Sequence, residues 1–437
     1  MQKVWGYAIA ALIIGLVIGA AVGYVMKPVP EPVGMVPKAD YDTLKSDYDS
    51  IKADLDTVQT DLTKALAEIE ELKKGMSLKA GFVYVGPIED FGWTMAHDRG
   101  RMKVAEKYDW LETVYAEIVP EPEVSDYIDE MFEKGCDVVF TCSFGYGWDT
   151  VKAGERWPDK ILYHCSGDPT VHGSAPNVGF YFSDFYQLYY LNGLAAGALT
   201  KTNKLGYVAA YTTSEVVRHL DAFFLGAKEV NPDVEMKVLV TGSWVDPATD
   251  TLNAEALIAW GADVIGFTAD APAVISKCQD HYEETGEKIY TFSHYSCMKE
   301  FGPDVVVSGQ LVNWEKWYEY LLLKAQQGEA ENWQHWGLAT GGYVELGSDF
   351  GEPINPIFTE DLKAVTVTDP VLGTIGVYDL IMYRYEQFKD ERSTFEPFTG
   401  PIRDTEGNLR LKSGEVIDGY QLWWEMDWYP EGTIPPE

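Results

Sequence analysis

The sequence predicts an α/β protein of two lobes that follows a membrane-spanning helix and a coiled-coil stalk. Three features indicate this arrangement: an uncharged stretch of 23 residues near the start, a heptad repeat after it, and then short apolar runs alternating with amphipathic, helix-length segments. The chain has 437 residues, which is too long for one compact domain, and 46% of them are apolar, which is enough for a sizeable core.

Charge and cysteine content exclude several classes of protein. The chain has 34 Lys and Arg against 69 Asp and Glu, a formal net charge of −35, and such a field repels a phosphate backbone. We therefore expect no nucleic-acid partner. The five cysteines contain no CxxC pair and the seven histidines have no metal-ligand spacing, so we expect neither a metal site nor a cofactor.

Residues 1–26 are predicted to form an N-terminal transmembrane anchor. The uncharged stretch from Val4 to Met26 is long enough to cross a bilayer as one helix, whereas a cleaved signal peptide, the competing interpretation, normally has a shorter apolar core. Lys3 precedes the helix and a strongly acidic chain follows it, which favours a short cytoplasmic end. We expect a single-pass protein of the cell membrane whose bulk lies at the cell surface, outside the cytoplasm.

Four prolines within residues 27–40 predict a stiff, extended spacer, and residues 41–76 have the heptad pattern of a coiled-coil stalk. Eleven core positions are all apolar or aromatic. The a positions are Tyr41, Tyr48, Leu55, Leu62, Ile69 and Met76, and the d positions are Leu44, Ile51, Val58, Ala65 and Leu72.

Charges beside this apolar seam favour a parallel homo-oligomer. In parallel helices each g position faces the next e position of its neighbour, which pairs Asp47 with Lys52 and Glu68 with Lys73. Dimer and trimer remain open, because two tyrosines and one alanine make the predicted core irregular. A single charged spacer helix is the alternative, although it would not need an unbroken apolar seam.

From Lys79 onward, apolar runs alternate with candidate helices. Predicted strands begin at Ala80, Asp137, Lys160, Lys204, Ala262 and Val305, and predicted helices include Glu215–Val230, Asp250–Trp260 and Ala271–Glu284. Repeated strand–helix–strand order indicates parallel sheets covered on both faces. The pattern is too long for one sheet, so we expect two α/β lobes.

Residues that follow the predicted strands are the candidate ligand-binding residues, because open α/β sheets bind ligands beyond the carboxyl ends of their strands. Glycines there allow close approach, aromatic rings offer stacking faces, and carboxylates accept hydrogen bonds. Turn glycines, edge aromatics and a helix-capping Asp90 are the structural alternatives. The candidates at these strand ends are Asp90, Phe91, Trp93, Phe144, Tyr146, Asp168, Trp244, Asp270 and His294.

Catalytic motifs are missing from the sequence. It contains no GxxxxGK[ST], no HExxH and no GxSxG. Cys165 adjoins His164, but neighbours on a strand point to opposite faces, so they do not form a nucleophile–base pair. The sequence therefore favours a binding protein over an enzyme.

Several segments resemble one known family. VYVGPIEDFGWTMAHDRGR, the stretch from DFYQLYYLNG to GAKEVNP, GSWVDPATDTLNAEALIAWGADVIG and the closing FTGPIRDTEGNLRLKSGEVI resemble the basic membrane protein family of ABC-transporter solute-binding proteins. The resemblance implies a type I periplasmic-binding-protein fold, in which two Rossmann-like lobes close on a solute, often a purine nucleoside or related base. It also implies delivery to an ABC permease that separate ATPase subunits drive.

The predicted lobes are discontinuous in sequence. Residues 79–183 with about 314–340 form the first, residues 184–313 with about 341–390 form the second, and residues 391–437 are a C-terminal extension packed on the lobes.

The resemblance also assigns roles to individual residues. It implies that Asp90 and Trp93 lie in the first ligand loop, where an aromatic packs on the base, that Phe144 and Tyr146 lie in the second, and that Asp270 borders the cleft.

Two positions depart from nucleoside-binding members. His294 stands where those members place an acidic residue for ribose, and Trp314, with Asn313, occupies a hinge position where they have a lysine. Ribose recognition is therefore in doubt, and a free nucleobase or another flat, polar solute remains open.

The predicted function is that of a membrane-anchored solute receptor for an ABC importer. A sensory ectodomain of the same fold and a structural surface filament built on the coiled coil are the alternatives.

Overall fold

The computed structural model describes residues 38–74, 77–330 and 334–436, which belong to two compact units divided between Ser77 and Leu78. The predicted anchor at residues 1–26 and nearly all of the spacer lie outside the described residues. Within these ranges, no helix is long and apolar enough to span a membrane.

The first unit contains one long helix, α1 (Lys38–Lys74). It covers almost all of the predicted stalk, so the helical part of that prediction is confirmed. In this single chain three predicted d positions are exposed, Leu44 by 63%, Ile51 by 56% and Val58 by 42%. Pairing with a second helix stays a prediction.

The second unit contains two sheets, which define its two lobes. The sheet of the first lobe has six parallel strands in the order β11-β5-β4-β3-β1-β2. Its strands are β1 (Leu78–Tyr84), β2 (Leu111–Ala116), β3 (Val138–Cys142), β4 (Ile161–Cys165), β5 (Val178–Ser183) and β11 (Gln334–Trp336).

The sheet of the second lobe has the order β12-β10-β9-β8-β6-β7-β17, and only β12 runs antiparallel to its neighbour. Its strands are β6 (Lys204–Ala209), β7 (Glu235–Val240), β8 (Val264–Thr268), β9 (Tyr290–Tyr295), β10 (Val306–Val312), β12 (Val344–Leu346) and β17 (Thr433–Ile434). Two small hairpins stand apart, β13 (Thr366–Asp369) with β14 (Gly373–Gly376) and β15 (Ile402–Arg403) with β16 (Leu409–Leu411).

Helices connect most of the parallel strands and cover the sheets. In chain order they are α2 (Trp93–Lys107), α3 (Val124–Glu133), α4 (Gly147–Arg156), α5 (Pro169–His172), α6 (Phe185–Leu199), α7 (Ser214–Val230), α8 (Pro247–Trp260), α9 (Ala273–Thr285), α10 (Trp314–Ala325), α11 (Thr359–Ala364), α12 (Val377–Lys389) and α13 (Gly419–Trp424).

Glycines allow two of these helices to pack unusually closely. A Cβ on Gly193 of α6 would lie 2.0 Å from the Phe223 carbonyl oxygen of α7, and one on Gly226 of α7 would lie 2.1 Å from the Tyr190 carbonyl oxygen of α6. Only glycine permits such contact between backbones. The carboxyl-terminal half of α7 is thereby packed closely against α6.

Between the described strands the chain passes from one sheet to the other three times, after β5, after β10 and after β11. Trp314 begins α10, which lies between β10 of the second sheet and β11 of the first. The carboxyl ends of both parallel sheets carry the loops from which the candidate site is built.

Candidate functional site

The cleft lies between the two lobes and contains about 280 Å³ of space between atoms, open solvent included. Every residue that lines it follows, or ends, a strand of one of the two sheets, as expected for ligand sites of open α/β sheets. The first lobe contributes Val85, Trp93, Ser143, Phe144 and Ser166, and the second contributes Glu215, Trp244, Asp270 and Tyr295.

Trp93 is held rigidly in the cleft wall. Its indole Nε1 donates a hydrogen bond of 2.9 Å to the Cys142 carbonyl, and only 6% of the residue is exposed. Its ring meets Tyr295 of the second lobe at 4.9 Å and the edge of Trp314 at 5.5 Å between ring centroids. A fixed indole face suits stacking against a flat ligand, because little side-chain freedom is lost on binding.

Trp314 and Tyr146 lie behind the cleft rather than in its wall. Trp314 is fully buried and stacks on His97, with ring centroids 4.2 Å apart. Tyr146 is also fully buried, and its hydroxyl donates to the Val119 carbonyl at 2.6 Å. Neither lines the cleft, because both side chains are packed in the interior of the protein.

Asp90 caps helix α2. Its carboxylate accepts hydrogen bonds from the backbone N–H groups of Gly92, Thr94 and Met95 at 2.8, 2.8 and 3.0 Å. These bonds satisfy donors that the first helical turn leaves without partners. Asp90 therefore has the helix-capping geometry that was the alternative to a ligand-binding role. Burial raises the pKa of its carboxyl group, although the three hydrogen bonds act in the opposite direction.

Asp270 presents a carboxylate to the cleft. Only 4% of the residue is exposed, and burial, followed by the charges of Asp90 and Glu215, raises the pKa of this group well above its usual value. Among the described residues, the one basic side chain within 4 Å of this carboxyl group is His294, whose Nε2 lies 3.9 Å from the Asp270 Oδ1. A ligand N–H or O–H would supply the hydrogen bond that a buried carboxylate needs.

His294 belongs to strand β9 rather than to the loop after it. It is buried, and its Nδ1 lies 2.7 Å from the Tyr189 hydroxyl. Burial lowers the pKa of its imidazole to about 3, so the ring beside Asp270 is neutral at neutral pH. Tyr295, the last residue of this strand, lines the cleft, and His294 does not.

Glu215, in the first turn of α7, is a second cleft carboxylate that sequence reasoning missed. Its Oε1 lies 3.5 Å from the Tyr295 hydroxyl, and burial raises the pKa of its carboxyl group to about 7, although nearby Arg218 acts in the opposite direction. Acidic residues are common in first helical turns, so its sequence position carried no functional signal.

Two further candidates lie at the edge of the site. Asp168 caps the short helix α5 and accepts a hydrogen bond from the Thr170 N–H at 2.5 Å. Phe91 is 39% exposed, and its ring meets Phe301 of the second lobe at 4.9 Å. Neither side chain lines the cleft.

Strained backbone surrounds the cleft. Five non-glycine residues within the described chain have positive φ, and three of them are Phe91, Ser166 and Tyr295, with φ of 63°, 67° and 60°. Such residues are uncommon and cluster at ligand clamps and active sites. The pattern of apolar residues does not indicate positive φ, so Ser166 and Tyr295 were not predicted as site residues.

The two lobes touch directly at the rim of the cleft. The Ser296 hydroxyl donates to the Gly92 carbonyl at 3.0 Å, and a Cβ on Gly92 would lie only 2.3 Å from the Asp270 carbonyl oxygen. The cleft is therefore in a closed arrangement, and a residue other than glycine at position 92 would collide with backbone of the opposite lobe.

A second cavity, the annex, adjoins the cleft. It contains about 410 Å³ of space between atoms, open solvent included, and Phe144, Ser166 and Glu215 line both cavities. The residues that line only the annex are Val171, Phe182, Ser214, Arg218, Trp423 and Trp424. Within the described residues, neither this region nor any other holds three or more His, Cys, Asp or Glu side chains placed to bind a metal ion.

A sequence model of PnrA-like ABC-transporter substrate-binding proteins, the Bmp family, matches residues 77–367. The chain belongs to this family. Membership makes it an extracytoplasmic solute-binding protein of an ABC transporter rather than an enzyme, as the absence of catalytic motifs predicted. The resemblance seen in the sequence is thereby confirmed.

Two relatives differ in the solute that their names give. The chain is 36% identical over 293 residues to a Haloferax volcanii protein provisionally named an ABC-transporter glucose-binding protein, covering 67% of this chain and 72% of the relative. It is 30% identical over 358 residues to a purine-binding protein of Brucella abortus, covering 82% of this chain and 93% of the relative.

Solved structures confirm the fold class. An ABC-transporter solute-binding protein of Aeropyrum pernix superposes with a TM-score of 0.56 at 17% identity, covering 71% of this chain and 86% of that structure. The second unit thus has the two-lobed periplasmic-binding-protein-like fold that the resemblance implied.

Proposed function

We propose that the cleft captures a flat, polar heterocycle of the purine kind for import. The observation that carries this proposal is the combination of aromatic and acidic groups from both lobes. Trp93, Phe144 and Trp244 offer ring faces, and Glu215 and Asp270 offer carboxylates. Rings bind the faces of a heterocycle and carboxylates accept hydrogen bonds from its N–H edge.

A free sugar is the second candidate, because one relative is named for glucose binding. Aromatic faces and carboxylates also suit a sugar ring and its hydroxyl groups. The purine proposal has the additional support of a purine-binding relative that aligns with 82% of this chain.

Titration calorimetry separates the two solutes. Protein stripped of bound solute is titrated with adenine, hypoxanthine and glucose, and mass spectrometry identifies whatever small molecule was removed. We expect at least one purine to bind with one-to-one stoichiometry and glucose to release no heat. Glucose binding without purine binding would overturn the proposal.

We further propose that the protein is held at the outer face of the cell membrane by residues 1–26, with α1 as an oligomeric stalk. Solute would then pass to a permease whose ATPase subunits are separate chains. Membrane fractionation with and without residues 1–26 tests the anchor, and loss of membrane association in the shorter chain is the expected result.

A further inference from the structure

A third cavity, the outer groove, adjoins the annex but not the cleft. It contains about 800 Å³ of space between atoms, open solvent included, and most of its wall comes from the chain after residue 367, beyond the match to the family model. Its aromatic and acidic lining residues are Asp168, Tyr186, Glu396, Tyr420, Trp423 and Trp424.

Three aromatic rings of α13 line the outer groove. Tyr420 is 49% exposed and Trp424 is half-buried, so a ligand in the groove can reach both rings. Trp423 lies deeper, and the Arg218 guanidinium carbon lies 4.0 Å from the centroid of its ring, although Arg218 lines the annex and not the groove. Aromatic faces attract cations, and the attraction grows where water is excluded.

Two carboxylates make the outer groove acidic. Asp168 and Glu396 line it, whereas no lysine or arginine of the described residues does. Asp184 also lies close enough to act electrostatically on Glu396. In a chain with a formal net charge of −35, this lining favours a cationic ligand over a neutral or anionic one.

Hydrogen bonds within the protein already occupy these carboxylates in part. Glu396 Oε2 accepts from the Tyr186 hydroxyl at 2.8 Å, and its Oε1 accepts from the Phe398 N–H at 3.1 Å. Asp168 Oδ1 accepts from the Thr170 N–H at 2.5 Å. A primary ammonium needs acceptors for three N–H groups, whereas a quaternary ammonium has no N–H group and needs only negative charge and aromatic faces.

We propose that the outer groove is a second ligand site, which binds a small quaternary ammonium cation. The bound cation lies between Asp168 of the first lobe and Glu396 and Tyr420 of the C-terminal segment. The site is independent of the solute that the cleft captures, because the groove and the cleft share no lining residue.

Three small probes test the ligand class by calorimetry on the full-length protein. Choline is the quaternary ammonium, 3,3-dimethylbutan-1-ol is its uncharged isostere with carbon in place of nitrogen, and ethanolamine is a primary ammonium with the same hydroxyethyl group. At pH 8 choline should bind at least about tenfold more tightly than either of the others, a factor that corresponds to about 1.4 kcal/mol. Equal binding of the uncharged isostere, or tighter binding of ethanolamine, overturns the proposal.

Two aromatic variants locate the site. Tyr420→Ala removes one ring face and should weaken choline binding at least about fivefold, whereas Tyr115→Ala, at a 41% exposed position outside the groove, should not. Trp93→Ala alters the cleft and should leave choline binding unchanged. Choline binding that is insensitive to Tyr420→Ala, or that Trp93→Ala abolishes, would show that the cation does not occupy the groove.

Glu396 should make choline binding depend on pH. Burial raises the pKa of its carboxyl group to about 7, so the group is ionised at pH 8 and protonated at pH 5.5. Choline should therefore bind more tightly at pH 8 than at pH 5.5. Glu396→Gln should weaken binding at pH 8 and remove this difference, whereas Glu391→Gln, at an exposed position outside the groove, should do neither.

Asp168, Asp184 and Tyr186 are the other titratable groups near Glu396. A pH dependence that persists in Glu396→Gln would overturn the placement of the cation beside Glu396. Thermal melting checks the fold of each variant, and Tyr420→Ala tests the site at an exposed position even if Glu396→Gln is unstable.

Discussion

Trp93 is the residue whose loss we expect to weaken solute binding most directly. Trp93→Ala removes a fixed indole face from the cleft and should weaken purine binding by about 1–3 kcal/mol, the scale of base–aromatic stacking. Trp148→Ala is the matched control, because Trp148 belongs to the same lobe, is 45% exposed and does not line the cleft. Calorimetry of both variants gives the comparison, and equal affinities would remove Trp93 from the site.

Asp270 and Asp90 are nearby carboxylates with different roles, and replacement by asparagine separates them. Asp270→Asn should weaken purine binding at least about tenfold, because the amide replaces one acceptor oxygen of the carboxyl group with an N–H donor. Asp90→Asn should bind normally, because asparagine caps helices well. Isothermal titrations at one pH provide the test. Normal binding by Asp270→Asn would show that its carboxylate does not contact the solute.

Glu215 should make solute binding depend on pH. Burial raises the pKa of its carboxyl group to about 7, so protonation progressively removes the ionised acceptor as the pH falls below that value. Affinity for a purine N–H should therefore decrease about tenfold per pH unit below the pKa and level off above it.

Glu215→Gln is the control for this pH profile. It should bind more weakly at pH 8 and lose the dependence between pH 5.5 and 8. Asp270, Arg218 and the Tyr295 hydroxyl also lie near Glu215, so a profile that persists in Glu215→Gln would assign the titration to another group.

Position in the sequence was enough to predict several of the residues that line the cleft. Trp93, Phe144, Trp244 and Asp270 all follow strands closely, so the carboxyl-end rule was enough to find them. The rule fails where the orientation of a side chain determines whether it reaches the cleft. Tyr146 and Trp314 are also near strand ends, but packing turns them into the core.

Residues from distant segments had no comparable signal. Glu215 resembles an ordinary acidic residue of a first helical turn, and no local pattern indicates that Trp423 reaches the same region. Positive φ at Ser166 and Tyr295 is likewise set by the surrounding structure and not by residue type.

Helix α1 is the element whose exposed apolar seam predicts self-association. A chain beginning at Lys38 should form a parallel oligomer, whereas a chain beginning at Lys79 should be monomeric, because only the first exposes Leu44, Ile51 and Val58. Light scattering at concentrations up to about 100 μM measures the difference, since even association of about 5–6 kcal/mol is visible there.

A pair of lysine substitutions tests the seam itself. Ile51→Lys at a d position should shift the longer chain toward monomer, whereas Ala53→Lys at the outward f position should not. If the longer chain is monomeric throughout the concentration range, α1 is only a spacer.

At the level of elements, apolar runs predicted six strands and missed the interior strands β5, β7 and β9. All six predicted strands are present, because parallel strands covered on both faces need continuous apolar sequence. Edge strand β2, Leu111–Ala116, lacks such a run, since Glu112 and Thr113 interrupt its apolar sequence. Strands β11 and β12 have three residues each, too few to produce any periodicity.

Closure of the whole second unit depends on Gly92. Gly92→Ala would place a Cβ 2.3 Å from the Asp270 carbonyl oxygen, and this backbone atom cannot move aside like a flexible side chain. We expect the lobes to stay further apart, with a larger radius of gyration in X-ray scattering. Purine affinity should fall at least about tenfold, because the two lobes can no longer contact the solute together.

Gly419→Ala is the control for backbone effects, because its Cβ would meet nothing within 4 Å. Scattering profiles of Gly92→Ala and wild type that coincide in the presence of purine would show that closure does not need this contact.

Strand β17 has a consequence for the order in which the protein matures. Thr433 and Ile434 pair with Met236 and Lys237 at one edge of the second sheet, and Trp423 lies just before them at the annex. A chain emerging from the ribosome can arrange most of the first lobe long before these residues are made. The second sheet and the annex wall are complete only after residue 434 has been synthesised, so capacity to retain solute arises at the end of synthesis rather than lobe by lobe.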